Sequence, residues 1–272
     1  MRTAGRPNDE LRPVRVTRGF TKTPAGSVLW QQGDTVLLCT ASVSRDLPPW
    51  MKDDRAGGWV TCEYVMLPGS TPNRKPWPKI GHTDGRGTEI QRLIGRSLRA
   101  AVDLSKIGPH TIALDCQVLQ ADGGTRTAAV CGAWVALADA LASLPAEMPG
   151  ALHRPRPTMG DGPDAGYGPV PARRDSAYYD PAGALVEQVA AVSVGVVDGE
   201  VRLDLDYADD SRADVDLNLA MTANGRFVEI QGSSEQGAGF DSARLTEMLA
   251  LGTLGCQQLL ATQRAAREAI AK

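Results

Sequence analysis

The stretch Leu119–Leu141, LQADGGTRTAAVCGAWVALADAL, constrains this chain more than any other. From Ala128 onward it reads as a helix that is apolar on nearly every face, and such a helix belongs inside a core. Directly before it stand Gly123-Gly124 and then Thr125-Arg126-Thr127. Burying a guanidinium without a partner is costly, so an arginine at the head of a buried helix implies a negative partner. The two glycines let the backbone turn tightly and come close to a ligand. The free N–H groups and the dipole of a helix start favour an anion, and Arg126 and Thr125 add a charged fork and a hydroxyl. Phosphate fits this set. The residues alone leave a second reading open, in which a threonine caps the helix and Arg126 pairs with a carboxylate such as Asp122.

The device recurs upstream. In GHTDGRGTEIQRLIGRSLRA, Gly85-Arg86-Gly87-Thr88 sets an arginine between glycines just ahead of a second helix. No G-x-x-x-x-G-K-[ST] occurs, which excludes a P-loop nucleotide site. A third feature is acidic: LDLDYADDSRADVDLNLAMT. Alternation predicts Asp204 and Asp206 on one strand face, with Leu203, Leu205 and Tyr207 on the other. Asp216 and Asn218 fall on one face of the next strand, opposite Val215, Leu217 and Leu219, with Asp209, Asp210 and Asp214 in the connection. The offsets of an EF-hand are missing. A few carboxylates with open coordination positions suit Mg²⁺ acting together with substrate phosphates, while a solvated acidic turn explains the same pattern.

Charge is unevenly placed along the chain of 272 residues: residues 1–110 are net basic and the remainder net acidic, for a formal total of -3. Such a division suits a polyanion on one side and metal ions on the other; equally, the two sets are solvated surface or pair with each other. The hydrophobic fraction of 42% fits a globular enzyme. Cys39, Cys62, Cys116, Cys131 and Cys256 form no C-x-x-C pair and sit among apolar neighbours, which predicts reduced core thiols rather than zinc ligands or disulfides. With His82, His110 and His153 as the only histidines, a histidine-rich metal site is not expected. The first 20 residues hold no apolar signal core, and the Ala128 helix is shorter than the roughly 18–20 apolar residues a bilayer requires. The expectation is a cytoplasmic protein with no membrane partner.

Along the chain, residues 13–45 and 58–66 alternate as strands, with a turn at Gln32-Gly33-Asp34. Residues 67–87 read as a loop and Thr88–Ser105 as a helix, with Arg92, Arg96 and Arg99 on one stripe. Residues 110–120 read as a strand. The segment 145–183 holds eight of the 18 prolines and no hydrophobic period, which predicts a loop or passive insertion. Strands with hairpin turns at Asp198-Gly199 and Asn224-Gly225 follow, then a closing helix over 241–271 with Asp241 as N-cap. The order predicts a single α+β domain of two loosely similar β/α halves.

These motifs together, RPNDELRPVRVTRGF, GSVLWQQGDTVLLCTASV, GRGTEIQRLIGRSLRAAVDL, DCQVLQADGGTRTAAVCGAWVAL, VAAVSVGVVDGEVRLDLDYADDSRADVDLNLAMT and VEIQGSSE, resemble the ribonuclease PH family of phosphorolytic exoribonucleases, which trim tRNA 3′ ends. The likeness covers nearly the whole chain apart from 145–183. It implies a ribosomal protein S5 domain 2-like α+β fold and a homohexameric ring built as a trimer of dimers, and the Arg92/Arg96/Arg99 stripe is a candidate for pairing across an interface. It implies phosphate binding by Arg86, Gly124, Thr125 and Arg126. Asp210 and Asp216 fall on the family's metal-associated aspartates and are the catalytic candidates, holding Mg²⁺ or Mn²⁺. The implied partners are RNA, with tRNA 3′ ends as substrate, and inorganic phosphate as co-substrate. Two departures stand out: the loop PGSTPNRKPWPKIGH offers only Arg74, Lys75 and Lys79 as evident cations, and the 145–183 segment is atypical. The rival readings are a hydrolytic metal-dependent nuclease using the same acids, and a non-catalytic RNA-binding ring subunit of an exosome-like assembly.

Overall fold

The computed structural model describes residues 2, 5–51, 57–77, 85–144, 179–235 and 239–269. Its first sheet has five strands, β1 (Val14–Arg18), β2 (Gly26–Gln32), β3 (Thr35–Ser44), β4 (Trp59–Met66) and β5 (Thr111–Gln120), in the order β1-β2-β3-β5-β4. Only β4 and β5 pair in parallel. Helix α1 (Gly85–Arg99) supplies the crossover and covers β4. The helix expected over Thr88–Ser105 thus starts earlier and stops sooner, because a separate 3₁₀ turn, Leu104–Lys106, capped by Asp103, takes over its last residues. The second sheet has four strands, β6 (Val189–Val197), β7 (Glu200–Leu203), β8 (Val215–Thr222) and β9 (Phe227–Ser234), in the order β7-β6-β8-β9. A single turn of helix, α3 (Tyr207–Asp210), joins β7 to β8, and α4 (Ser242–Glu268) closes the chain fold.

Helix α2 (Thr125–Ser143) lies between the two sheets, against β2, β3 and β5 on one side and β6 and β8 on the other. This explains its lack of a polar face: 14 of its residues, Thr127 to Leu141, are buried. The contact is close. A Cβ at Gly132 would sit 2.8 Å from Cys39 Sγ, and one at Gly26 only 2.0 Å from the Ala136 carbonyl oxygen. On the other side, Cys131 Sγ lies 3.3 Å from the Ala191 carbonyl. Helix α4 covers the outer face of the second sheet and sends the fully buried Gln263 amide back to the carbonyls of Cys131 and Val189, at 3.0 and 3.1 Å. One core of apolar side chains runs through both halves. All five cysteines are free and buried in it, as expected.

The hairpins behave as their sequences predict, with one difference. At Asp198-Gly199 both residues take positive φ, 55° and 77°, the requirement of a type I′ turn. At Asn224-Gly225 only the glycine does, at 82°, and the ladder slips by one residue at Ala220/Met221. Asp241 caps α4 by accepting from the Arg244 amide at 2.8 Å. The acidic segment departs from the alternation. β7 ends at Leu203, and Asp204 takes φ 54° and turns inward. Asp206 caps α3, accepting from the Asp209 amide at 2.9 Å. Local hydrogen bonds of the aspartates outcompete strand pairing here. Of the 145–183 segment, residues 145–178 lie outside the described residues. Residues 179–183 are packed, with Tyr179 buried and a 3₁₀ turn at Ala182–Ala184, so the expected loop ends sooner than its composition suggests.

A buried ion pair ties the segment before β1 to the second half. Arg12 Nη2 donates to Asp204 Oδ1 at 2.7 Å, and its Nε and backbone N–H donate to Oδ2 at 3.1 and 2.7 Å. Gln32 adds a donor at 2.8 Å. Burial alone would raise the Asp204 carboxyl, but the Arg12 hydrogen bond and charge outweigh it and hold it below the ordinary range. Replacing Arg12 by Met leaves this buried carboxylate with only the backbone N–H of residue 12, the Gln32 amide and, at 3.7 Å, Arg6, so unfolding free energy should fall by about 3 kcal/mol. The double variant Arg12→Met/Asp204→Leu should recover part of the loss. Urea denaturation of both variants checks this; a single variant as stable as the parent refutes it.

Candidate active site

The start of α2 opens where the two halves meet. Gly123 and Gly124 both adopt left-handed φ, 71° and 64°. Any side chain would be strained there, and a Cβ on Gly123 would also press to 2.5 Å from the Leu205 carbonyl oxygen. No side chain caps the helix. Thr127 Oγ1 donates to the Gly124 carbonyl at 3.0 Å, and Thr125 Oγ1 lies 2.8 Å from the Tyr64 hydroxyl. Both threonines are thus engaged elsewhere, which removes the capping alternative left open by the sequence. Asp122 is not the partner of Arg126 either: it faces Arg12 at 3.4 Å and accepts from the Tyr207 amide at 3.2 Å.

Arg126 instead crosses to neighbouring elements. Its Nη1 donates to Gln231 Oε1 on β9 at 2.8 Å and reaches Glu89 Oε1 on α1 at 3.5 Å. The half-exposed Glu89 is a weak hold, which leaves much of the guanidinium's charge available. The register explains why Gln231 is in reach. It pairs with Asn218 on β8 and therefore points to the same face as Asn218 and Asp216. Arg86, in the first turn of α1, is exposed, and its charge acts on both Asp210 and Tyr64. Burial pushes the Tyr64 phenol up to about 12, so it stays protonated beside Thr125.

Two carboxylates face these cations. Burial raises the Asp210 carboxyl; Arg86 and Arg126 oppose this, and Glu235 adds to it. Burial, and then the charge of Asp210, push Asp216 up to about 6, with Arg126 and the Asn218 amide opposing. Asn218 Nδ2 donates to Asp216 Oδ2 at 3.1 Å, while the buried Oδ1 has no hydrogen-bond partner. A desolvated carboxylate oxygen with a free lone pair, next to a second carboxylate, suits a cation or a proton brought by a substrate. Among the described residues, no group of three or more acidic, histidine or cysteine side chains is arranged to hold a metal ion without substrate oxygens.

The structure brings the six predicted site residues to this junction, where the charge of Asp210 bears on Asp216. The sequence did not identify Tyr64, Glu89 or Gln231, which reach the site only through tertiary contacts. The other acids of the cluster do different work: Asp204 binds Arg12, Asp206 caps α3, and Asp209 pairs with Arg2 and Arg202. The arginine stripe of α1 is partly spent inside the chain. Arg96 pairs with Glu229 at 2.8 Å, and Arg99 lies 4.9 Å over the Trp59 ring and donates to the Val60 carbonyl.

Both models of one family match this architecture: 3′ exoribonuclease family, domain 1, over residues 10–142, and domain 2 over residues 187–254. The chain belongs to the 3′ exoribonuclease family, the class that this two-sheet fold and its junction define. Its relatives place it in the ribonuclease PH branch. It is 48% identical over 262 residues to ribonuclease PH of Rhodopirellula baltica, covering 96% of each chain. It is 50% identical over 266 residues to that of Nocardia farcinica, covering 97% of this chain and 91% of the relative. Among solved structures, rice Rrp46 matches with a TM-score of 0.65 at 18% identity over 96% of this chain and 97% of that one. The Archaeoglobus fulgidus exosome with RNA bound to the active site matches with 0.69 at 21%, over 95% and 91%. These two likenesses concern the fold.

The raised Asp216 carboxyl makes a stability prediction. Its folded value, about 6, lies above its ordinary value of 3.8. Folding therefore takes up a proton between these values, and stability is lost as pH rises through that window. Asp216→Asn removes the penalty, so the variant should exceed the parent by about 1–2 kcal/mol at neutral pH, narrowing toward pH ~4. Urea midpoints across this range check it. A gain that grows toward acid pH would contradict the assignment.

Proposed function

We propose that this chain is a phosphorolytic 3′→5′ exoribonuclease, a tRNA nucleotidyltransferase that moves the 3′-terminal nucleotide of tRNA precursors onto inorganic phosphate and releases a nucleoside 5′-diphosphate. The observation that carries this reading is the uncapped start of α2, flanked by Arg126 and Arg86 and facing the desolvated pair Asp210 and Asp216. The named relatives at about half identity support the same activity. Phosphate would sit on the free N–H groups of α2, with the Thr125 hydroxyl, Arg126 and Arg86 around it. It is the nucleophile, and the terminal phosphodiester of RNA is the electrophile. The arginines offset the repulsion between these two anions and hold them in line, which is most of what phosphoryl transfer asks of a protein.

The residues present fit a divalent metal: Asp216 has a buried oxygen without a partner, and Asp210 repels it. Asp210 and Asp216 would hold Mg²⁺, with Mn²⁺ as the alternative, and such an ion when bound neutralises charge at the leaving 3′-oxygen. With few protein ligands, the remaining positions would be filled by substrate oxygens and water. Asp216, with its carboxyl at about 6, is also suited to holding the proton of the 3′-hydroxyl that is formed. The assembly we propose is a homohexamer, a trimer of dimers. With Arg96 and Arg99 engaged within the chain, Arg92 is the member of the α1 stripe left for a contact between copies. A monomeric mass in light scattering would exclude the ring. No helix among the described residues is long and apolar enough to cross a membrane, and we place the enzyme in the cytoplasm.

Incubation with a 3′-extended tRNA, with and without phosphate, tests the activity. Nucleoside diphosphates should appear only with phosphate. Monophosphates released at an unchanged rate without it would favour the hydrolytic nuclease, and no release in either case the non-catalytic ring subunit. The site roles separate by variant. Arg126→Ala should raise the KM for phosphate by about ten- to a hundred-fold, the worth of a charge-assisted fork. Asp216→Asn should lower kcat with less change in that KM. Unchanged phosphate saturation in the first, or full turnover in the second, removes the residue from the mechanism.

A further inference from the structure

The single turn of α3 carries Asp210, yet four residues are too few to hold a helix by themselves. Its orientation must come from tertiary contacts, and these converge on its neighbour Asp209. Asp209 is fully buried, and each of its carboxylate oxygens is taken by a different arginine. Arg202 Nη1 donates to Oδ1 at 2.6 Å, and Arg2 Nε donates to Oδ2 at 2.8 Å. Arg2 comes from the other end of the sequence and is itself buried. Its remaining donors go to the carbonyls of Pro7, at 2.9 Å, of Asp204, at 2.8 Å, and of Leu203. One guanidinium therefore ties the end of β7, the inward turn at Asp204 and α3 into one unit. Arg6 adds to the clamp through the Asp204 carbonyl at 2.8 Å and the carboxylate of Asp206, the α3 cap, at 3.9 Å.

We infer that Arg2 is a positioning residue for Asp210: by anchoring Asp209 and the turn before α3, it fixes where the neighbouring carboxylate stands relative to Asp216. Successive residues on a helical turn point about 100° apart. With Asp209 locked inward, Asp210 takes another direction, where the charges of Arg86 and Arg126 bear on it and its own bears on Asp216. Without Arg2, Asp209 keeps only Arg202 and the exposed Arg212, 3.9 Å away, and the carbonyls of Pro7, Leu203 and Asp204 each lose a donor, the last two keeping Arg6. The turn then has freedom to rotate, and a displacement of about 1 Å at a reacting group is enough to cost rate severely.

This inference rests on the phosphorolytic reading, and the test keeps the two apart. Parent, Arg2→Met and Arg2→Lys are compared in phosphorolysis of a 3′-extended tRNA and in hydrogen–deuterium exchange. Failure of the parent to release diphosphates defeats the reading itself. With an active parent, Arg2→Met should lose about tenfold or more in kcat, with the KM for phosphate within about twofold. Amides of residues 206–211 should exchange faster while those of α2 and β8 keep their protection. Arg2→Lys restores one charge but not the fork, and should fall between the two. Parent-like kcat and parent-like exchange over 206–211 would overturn the inference. So would a loss of kcat accompanied by faster exchange throughout both sheets, which marks a purely structural role. If Arg2→Met does not fold, the same two measurements on Arg2→Lys decide.

Discussion

Helix α2 has no polar face, and everything else in the molecule is arranged around that constraint. A helix that must be dry on all sides needs a layer on each side, and the two sheets provide them. Each sheet gives its inner face to the same helix, so the two halves share a core and neither is complete without it. The helix must still begin somewhere, and its uncapped start brings polar backbone to the seam between the halves. Asp216 and Gln231 arrive there from the second sheet, Tyr64 and Arg86 from the first half. The composite site is a consequence of burying α2.

Electrostatics at the seam work against stability. A helix start without a side-chain cap, a desolvated carboxylate pair and an Arg126 whose ion-pair partner is the half-exposed Glu89 each cost free energy in the isolated protein. The fold confines this to the site. Immediately outside it, two buried acids of the cluster have strong partners: Asp204 has Arg12 and Gln32, Asp209 has Arg2 and Arg202. The division is visible in the carboxyls themselves, with Asp204 held down and Asp216 pushed up within the same short segment. Groups left unsatisfied in this way are the ones a phosphate, an RNA end or a cation would complete.

Much of this was legible from residues, because the informative signals were local. Apolar residues all round a helix, glycines at Gly123-Gly124 and Asp198-Gly199, and an aspartate ahead of α4 each state their own geometry. The acidic segment was only half legible. Asp216 and Asn218 kept the alternation because β8 is an interior strand with partners on both sides. Asp204 and Asp206 broke it, since aspartate competes for nearby backbone groups and the strand ended early. The partners of Arg126 were illegible for another reason. Asp122 is close in sequence, but Glu89 and Gln231 are brought to the arginine by the packing of α1 and by the register of β9. Arg2 and Arg12 are buried by partners from the second half, which nothing local in the sequence marks.

That last point explains the uneven charge of the chain. A basic first part and an acidic second part left open a polyanion/metal split, solvated surfaces or pairing between the two, and for three of the first arginines the pairing holds. Arg2, Arg6 and Arg12 all go to the acidic segment around α3. The cations left near the α2 start, Arg86 and Arg126, belong to the two glycine-bearing helix starts rather than to the basic segment ahead of β1. The charge asymmetry thus does two separate jobs. Part of the early excess holds the second half's acids in position, while Arg86 and Arg126, fixed by helix geometry, stand at the α2 start. Arginine suits the first job because its planar fork satisfies carboxylate and carbonyl oxygens together without giving up its charge when buried. The same residue type therefore builds the frame around α3 and supplies the site beside it, and burial alone separates the two roles.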